Sequence, residues 1–447
     1  MAIALTPEER SALRAAHPEV FSPGPWKRWG ALLLALAAPG YAFYCFSFFD
    51  IGRTIAEGKW ERAGIYMADW VSWEAQPRFR FRDDGSIEIE HERFSPLGEN
   101  PDPDWMTRLP GGREEVIFGG PANRIEVSTR QVMVYLAGTA YPVAFDSTGA
   151  LLPESAPAAF SEKNGRVTVD FGFAGSAEIR NTQVLVRRRF FGWENFFFDT
   201  RSPYWGMNLP DLVRAVTSGE RLDPKQSNLS LAIDEFLTNS EWQHGDVFNK
   251  LLQTIVMAFV GTLFAAALAF PLAFVAARNV TRTRTLNWIT KRFFDFTRSV
   301  DMLIWALVFT RGFGPGPLAG ISAIFVTDTG TFGKLYSEAI ENIDDKQREG
   351  VRSVGAPAAA VQRYGVIPQV LPVFISQTLY FWEANIRGAT IVGAVGAGGI
   401  GLKLLEAMRT NKDWENVAYM VLLILLVVFI FDNISNTLRS RLIGPRN

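Results

Sequence analysis

The sequence predicts an all-α polytopic membrane protein with six transmembrane helices, into which a small antiparallel β domain is inserted on the extracytoplasmic side. Three observations lead there. Uncharged apolar runs of membrane-crossing length recur near the start of the chain and through its second half. Lysine and arginine gather beside the ends of those runs. Between the first two runs, apolar and charged residues alternate with the period of a half-buried strand.

Of 447 residues, 48% are apolar and 20% charged, and the segregation of the charges rather than their average decides the class. The first run is "GALLLALAAPGYAFYCFSFF", residues 30–49, which reaches the ~20 residues a helix needs to cross ~30 Å of hydrocarbon. It is long for a signal-peptide core and no A-x-A site follows, so it reads as an uncleaved anchor. Residues 251–277, "LLQTIVMAFVGTLFAAALAFPLAFVAA", form the second run. Met302 to Thr327, interrupted only by Arg311, holds a short third and fourth passage that turn at "GFGPGPLAG", where Pro315 and Pro317 stop helices. Tyr364 to Trp382 and Asn416 to Phe431 give the fifth and sixth.

Basic residues cluster at Lys27 and Arg28, from Arg278 to Arg298, from Lys334 to Arg363, and at Arg439, Arg441 and Arg446. Placing all four clusters in the cytoplasm requires six crossings with both termini inside. The expected organisation is then a cytoplasmic segment 1–29, a first helix 30–49, an extracytoplasmic region 50–245, a five-helix domain 246–440 with a cytoplasmic loop at about 337–368, and a tail 441–447. Cys45 is the lone cysteine, which excludes an intrachain disulfide framework. His17, His91 and His244 are scattered over three segments and support no metal site, and no basic arm with interleaved aromatics suggests nucleic acid.

The extracytoplasmic region carries its own domain at about 77–190. Phe79, Phe81, Ile87 and Ile89 alternate with charges around Asp84-Gly85, a hairpin pattern, and Asn164-Gly165 marks another turn. In "RRRFFGWENFFFDTRSPYWGMN" aromatics mix with Arg, Asp and Asn. That composition suits a return to the headgroup region, or else Phe196, Phe197 and Phe198 plug the β domain. "LPDLVRAVTSGE" and "NLSLAIDEFLTNSEWQ" read as short amphipathic helices leading to the second crossing.

Gly396-Ala-Gly398-Gly-Ile-Gly401 satisfies the dinucleotide pattern G-x-G-x-x-G, which opens the alternative of a membrane-bound dinucleotide-dependent oxidoreductase. The apolar stretch before it runs back to Pro368, longer than a strand, and an apolar helix rather than a second strand follows, so the pattern does not read as a Rossmann turn. What remains is a glycine-rich break at the end of a membrane helix. Such a break lines a pathway or gate, or it is a tight packing corner. Gly393, Gly396, Gly398, Gly399 and Gly401 are the candidates. Glu383 and Arg387, four apart in the same run, can pair on one helix face, either facing a pathway or dimer interface or as a structural pair.

In "REGVRSVGAPAAAVQRYGVIPQVLP" a helix-forming stretch meets a turn at Gly355-Ala356-Pro357, and a second short helix runs to Pro368. Here the sequence resembles the coupling loop of ABC importer permeases, E-A-A, three residues, G, nine residues, I-x-L-P. Glu349 takes the E, Gly355 the G, Ile367 the apolar position before proline and Pro368 the P, while Gly350 and Val351 replace the alanines and Gly365 the isoleucine. With "GFGPGPLAGISA", "GKLYSEAIENID", "EANIRGATIVGAVGAGGIG" and "FDNISNTLRSRLI", residues 250–445 are similar to phosphonate importer permeases. Val300-Asp301 and Asp328 depart from that pattern, and the β domain lies outside it.

The resemblance implies the type I ABC importer permease fold and transport by alternating access, with no catalysis in this chain. It implies Glu349, Gly350, Gly355, Ala356, Pro357, Ile367 and Pro368 as the elbow facing an ATPase. It further implies two cytoplasmic ABC ATPases that bind ATP and Mg, a second permease subunit, identical or paralogous, and an extracytoplasmic solute-binding protein. The setting is a bacterial inner membrane with its lipid, with the β domain periplasmic. The implied solute is a phosphonate or related phosphorus oxyanion; an importer of another small polar solute such as an amino acid is the alternative.

Overall fold

The computed structural model describes residues 11–12, 15–16, 25–58, 60–91, 96–98, 101–147, 149–410 and 414–443. Most of the expected segment 1–29 and the last four residues of the expected tail lie outside them. The chain divides into two compact units, residues 1–65 and 66–447. The first holds α1, Pro25–Phe48, and α2, Ile51–Ala56. Helix α1 starts before the predicted residue 30 and carries Pro39 in its interior. Helix α3, Trp60–Asp69, leads into the second unit.

Twelve described strands follow between Ser72 and Phe191, slightly wider than the predicted 77–190. Strands β1 (Ser72–Ala75), β2 (Arg78–Phe81), β3 (Ile87–Glu90), β9 (Phe160–Lys163), β10 (Arg166–Asp170), β11 (Gly175–Ile179) and β12 (Gln183–Phe191) form one sheet. A second sheet takes β4 (Met106–Leu109), β5 (Arg113–Gly120), β6 (Asn123–Val127), β7 (Gln131–Leu136) and β8 (Thr139–Ala144) in sequence order. Every pairing is antiparallel, and the predicted hairpins form: Phe79 lies opposite Ile89, and Asn164 and Gly165 turn at φ 55° and 68°. Alternation sends Phe79, Val167, Val184, Val116, Phe118, Ile125 and Val132 into one core. Arg188 stitches the two sheets, donating to the Ile117 carbonyl at 3.0 Å and the Ala174 carbonyl at 2.9 Å.

The aromatic run after β12 does not plug this core. Phe196 instead packs with Trp193, Trp242, Val247, Ile400 and Tyr419. Phe198 packs at a tilt against Tyr204 beneath α4, Leu209–Thr217, and α5, Asn228–Leu237, while Phe197 is exposed. Both short helices predicted from the sequence are present, capped by Asn208 and Ser227 side chains that accept from Asp211 and Ser230 amides.

The helical domain comprises α6 (His244–Ala276), α7 (Arg284–Ser299), α8 (Met302–Phe313), α9 (Pro317–Glu341), α10 (Asp345–Ser353), α11 (Ile367–Val392), α12 (Gly399–Thr410) and α13 (Trp414–Ile443). Among the described residues two helices suffice in length and apolarity to cross a membrane, His244–Ala276 and Trp414–Arg441. The bent pair Ala358–Ala397 and Gly399–Thr410, 59° apart, makes a third. The six expected passages are therefore not six uninterrupted apolar helices. Helix α9 carries Asp328, Lys334 and Glu338, and the passage before it is broken at Val300-Asp301, where the Asp301 carboxylate caps α8 by accepting from the Leu303 amide at 2.8 Å.

That passage also begins earlier than Met302. Asn287, Thr290, Phe294 and Thr297 put one face of α7 into the bundle, and the basic residues on its other faces mask this helix in the sequence. Small residues set the spacing: a Cβ on Gly333 would lie 2.2 Å from the Phe294 ring, and one on Gly330 would lie 2.2 Å from Thr297 Oγ1. Lys334 of α9 stands 3.7 Å from Asp295 of α7.

Candidate coupling elbow and glycine break

Helix α10 opens on Asp344, whose carboxylate accepts from the Lys346 amide at 3.0 Å, and ends at Gly355. Gly355 has φ +79°, a conformation that glycine adopts without Cβ strain, and its N–H donates to the Arg352 carbonyl at 3.0 Å. Pro357 then starts a single helical turn, Ala358–Ala360, which passes through a π turn at Val361–Val366 into α11. The helix, turn and second short helix expected from the residues are thus present, and residues 337–341 belong to the end of α9.

The elbow has a free face and a braced one. Glu349, Gly350, Gly355, Pro357 and Pro368 are exposed, Ala356 and Ile367 are half-buried, and Val354 is 82% exposed. Beneath them Val361, Gly365 and Val366 are buried, with Gly365 directly under Gln347 and Arg348. Arg348 donates to the Asn279 carbonyl at 3.1 Å, and the Asn279 amide donates to the Ile340 carbonyl at 2.7 Å. Lys291 and the Arg278 amide both meet Glu341 at 2.8 Å. The elbow is therefore tied to the α6–α7 corner and to the end of α9.

At the other end of α11, a π turn at Gly393–Ala397 precedes α12, and Gly396, Gly398 and Gly399 have φ of 103°, 81° and 70°. Both neighbours of the G-x-G-x-x-G run are helices, and the described strands all lie between residues 72 and 191, so there is no Rossmann unit here. The glycines make close contacts. A Cβ on Gly401 would lie 1.8 Å from the Thr390 carbonyl, one on Gly393 2.4 Å from the Gly398 carbonyl, and one on Gly399 2.4 Å from Thr254 Oγ1. The Gly316 amide donates to the Gly396 carbonyl at 3.0 Å, and the Ile400 amide donates to Thr254 Oγ1 at 2.9 Å.

Glu383 and Arg387 pair at 3.1 Å, and Glu383 is buried. Its second oxygen faces Arg439 of α13 at 3.5 Å, a partner that the sequence gives no way to choose from a basic C-terminal cluster. A second buried polar set crosses three helices. The Asn385 amide donates to Asp328 of α9 and, at 2.8 Å, to Thr262 of α6. Asp328 is recognisable in the sequence as a departure, but Asn385 and Thr262 look like ordinary polar residues of a membrane helix. Arg311 is exposed. His244 is buried, bonded to the Tyr419 hydroxyl at 2.8 Å and the Phe196 carbonyl at 2.7 Å.

Residues 269–443 match the family described as binding-protein-dependent transport system inner membrane component. A putative phosphite transport system permease of Stutzerimonas stutzeri is 37% identical over 194 residues, 43% of this chain and 68% of that one. A phosphate-import permease of Mycolicibacterium smegmatis is 36% identical over 198 residues, 44% of this chain and 37% of its own length. A putative cryptic phosphonate transport system permease of Escherichia coli K12 is 46% identical over 121 residues, 27% of this chain and 98% of that one.

Proposed function

Because the chain belongs to the binding-protein-dependent transport system inner membrane components, we propose that it is the permease subunit of an ATP-driven importer for a phosphonate, phosphite or related phosphorus oxyanion. The observation that carries this reading is the elbow from Asp345 to Pro368, exposed on one face and braced on the other by Arg348 and Asn279. An exposed lever fixed to helices on both sides transmits a push from a cytoplasmic partner into the bundle. Two ATPase subunits supply that push by binding ATP and Mg, and no ATP hydrolysis belongs to this chain.

A second permease, identical or paralogous, completes the pathway, and a solute-binding protein delivers the oxyanion. Both termini are cytoplasmic and the β domain is periplasmic in an inner membrane. Glu383, Arg387 and the glycine break lie on or beside the path that alternates its access. The β domain, with its closed core and salt-bridged outer face, serves assembly or docking of the solute-binding protein rather than chemistry.

The test is uptake into proteoliposomes holding this chain, its ATPase and its binding protein. Methylphosphonate or phosphite should accumulate only with internal or external ATP on the side of the elbow. Accumulation of an amino acid with neither phosphorus compound transported would overturn the substrate class, and tightly bound nicotinamide or flavin in the purified chain would overturn the transporter reading.

A further inference from the structure

Helix α5 leaves an apolar stripe uncovered. Leu231 and Ala232 pack inward against Tyr204, with Leu212, Ala215 and Val216 of α4 against the same cluster. Leu229, Ile233 and Leu237, spaced four apart on another side, are 56%, 53% and 38% exposed. The charged Asp234 falls outside this stripe.

What covers the stripe is indicated by where it leads. Leu237 abuts α6 at Gly245, where an added Cβ would lie 2.8 Å from the Leu237 carbonyl. The Phe236 ring lies 6.5 Å from Phe248. From Phe248 the exposed apolar side of α6 continues through Leu252, Val256 and Phe259 along a helix long and apolar enough to span a bilayer. Phe197, 64% exposed, stands beside Phe236 with ring centroids 6.4 Å apart. A short helix with one apolar side, leading through Phe236 and Phe248 to the exposed apolar side of a helix long enough to span a bilayer, has the form of an interfacial helix, whose apolar face sinks ~5–10 Å into the headgroup and acyl boundary.

We propose that α5, with Phe197, lies in the bilayer surface around the N-terminal end of α6 and anchors the base of the β domain to lipid. This rests on α6 crossing the membrane and not on which solute is carried.

The test uses the assembled complex in nanodiscs with Cys45→Ser as background and a fluorophore on single cysteines. Ile233→Cys should be quenched by phospholipid bearing a doxyl group near its glycerol end and shielded from aqueous iodide. Asp234→Cys should show the inverse ratio. Val256→Cys, deeper on the same stripe, reports whether α6 itself is in the bilayer, through quenching by doxyl near the chain end. Leu229→Cys replaces Ile233→Cys if that variant does not assemble. With Val256→Cys quenched as expected, a stripe label open to iodide and indifferent to doxyl would overturn the proposal in favour of a solvated face. Shielding from both quenchers would overturn it in favour of a protein partner, either a second copy or the binding protein.

Discussion

Each carboxylate oxygen of Glu383 has its own guanidinium: Arg387, one helical turn along α11, at 3.1 Å, and Arg439 of α13 at 3.5 Å. Glu383 is buried whereas Arg387 is half exposed, so removing the one is not equivalent to removing the other. Glu383→Ala leaves two cations without their counter-charge and should cost about 1–3 kcal/mol. Arg387→Ala should cost about 0–1 kcal/mol, as for an exposed pair. Thermal unfolding of the purified complex in detergent should rank them in that order. An equal loss for both would mean that the Arg439 contact contributes nothing.

A Cβ added at Gly355 would meet nothing within 4 Å, and the backbone there is left-handed. Gly355→Asp should therefore cost little beyond the roughly 1–2 kcal/mol of an L-residue in that conformation. Membrane levels should stay near normal while ATP-driven uptake falls several-fold. Uptake in proportion to membrane level would remove the elbow from the coupling route.

Gly401→Ala in the glycine break and Gly350→Ala in the elbow carry opposite expectations. The first places a Cβ 1.8 Å from the Thr390 carbonyl and should cost about 1–3 kcal/mol or more, lowering assembly and uptake together. The second meets nothing within 4 Å and should leave stability unchanged or raise it by about 0.5–1 kcal/mol, as alanine for glycine in a helix does. Assembly is read by size-exclusion chromatography. Normal assembly of Gly401→Ala with abolished uptake would favour a gate over a packing corner.

Asp199 gives the segment between the β domain and α6 an acid limit. Burial opposes its ionisation, but hydrogen bonds from the Ser240 hydroxyl at 2.6 Å, the Ser240 amide at 3.0 Å and the Arg201 amide at 3.0 Å outweigh it and hold the carboxyl below the usual range. The folded value is depressed, so this stabilisation is full above the ordinary value of about 3.9 and is lost as pH falls through the folded one. Wild type should lose thermal stability below about pH 4 more steeply than Asp199→Asn, which should be less stable at neutral pH. Parallel pH profiles would show that Asp199 is not the group responsible.

Removing the β domain tests its role. The cleaner cut is residues 72–191, because β1 pairs with β12 and Trp73 stacks on Phe190 at 4.5 Å. With a flexible linker in its place, co-purification of the ATPase should persist while stimulation of ATP hydrolysis by the binding protein weakens. Full stimulation would give the domain another task.

Features carried by local periodicity are legible in the sequence. The β hairpins follow from alternation around Asp84-Gly85 and Asn164-Gly165, and the elbow follows from a glycine and a proline between helix formers. The Glu383–Arg387 pair follows from a spacing of four. Contacts set by how helices lie against one another are not legible. Arg439 is 56 residues from Glu383, and Asn385 meets Asp328 and Thr262 across α11, α9 and α6. Helix α7 is hidden for a related reason: its basic residues mark a cytoplasmic loop by composition, while Phe294 and Thr297 on its other side bury it against α9.

Helix α6 has a fixed attachment at both ends. At its start His244 is held by Phe196 and Tyr419, and at its end the Ala276 carbonyl accepts from Asn287 while Asn279, three residues on, carries Arg348 of the elbow. Its 33 residues span about 50 Å. A displacement of α10 would either break the Arg348–Asn279 bond or carry α6 with it. The far end of α6 sits in the aromatic knot of Trp242, Tyr419 and Phe196, the last of these five residues after β12 ends, so a single helix links the elbow's contact at Asn279 to the base of the β domain.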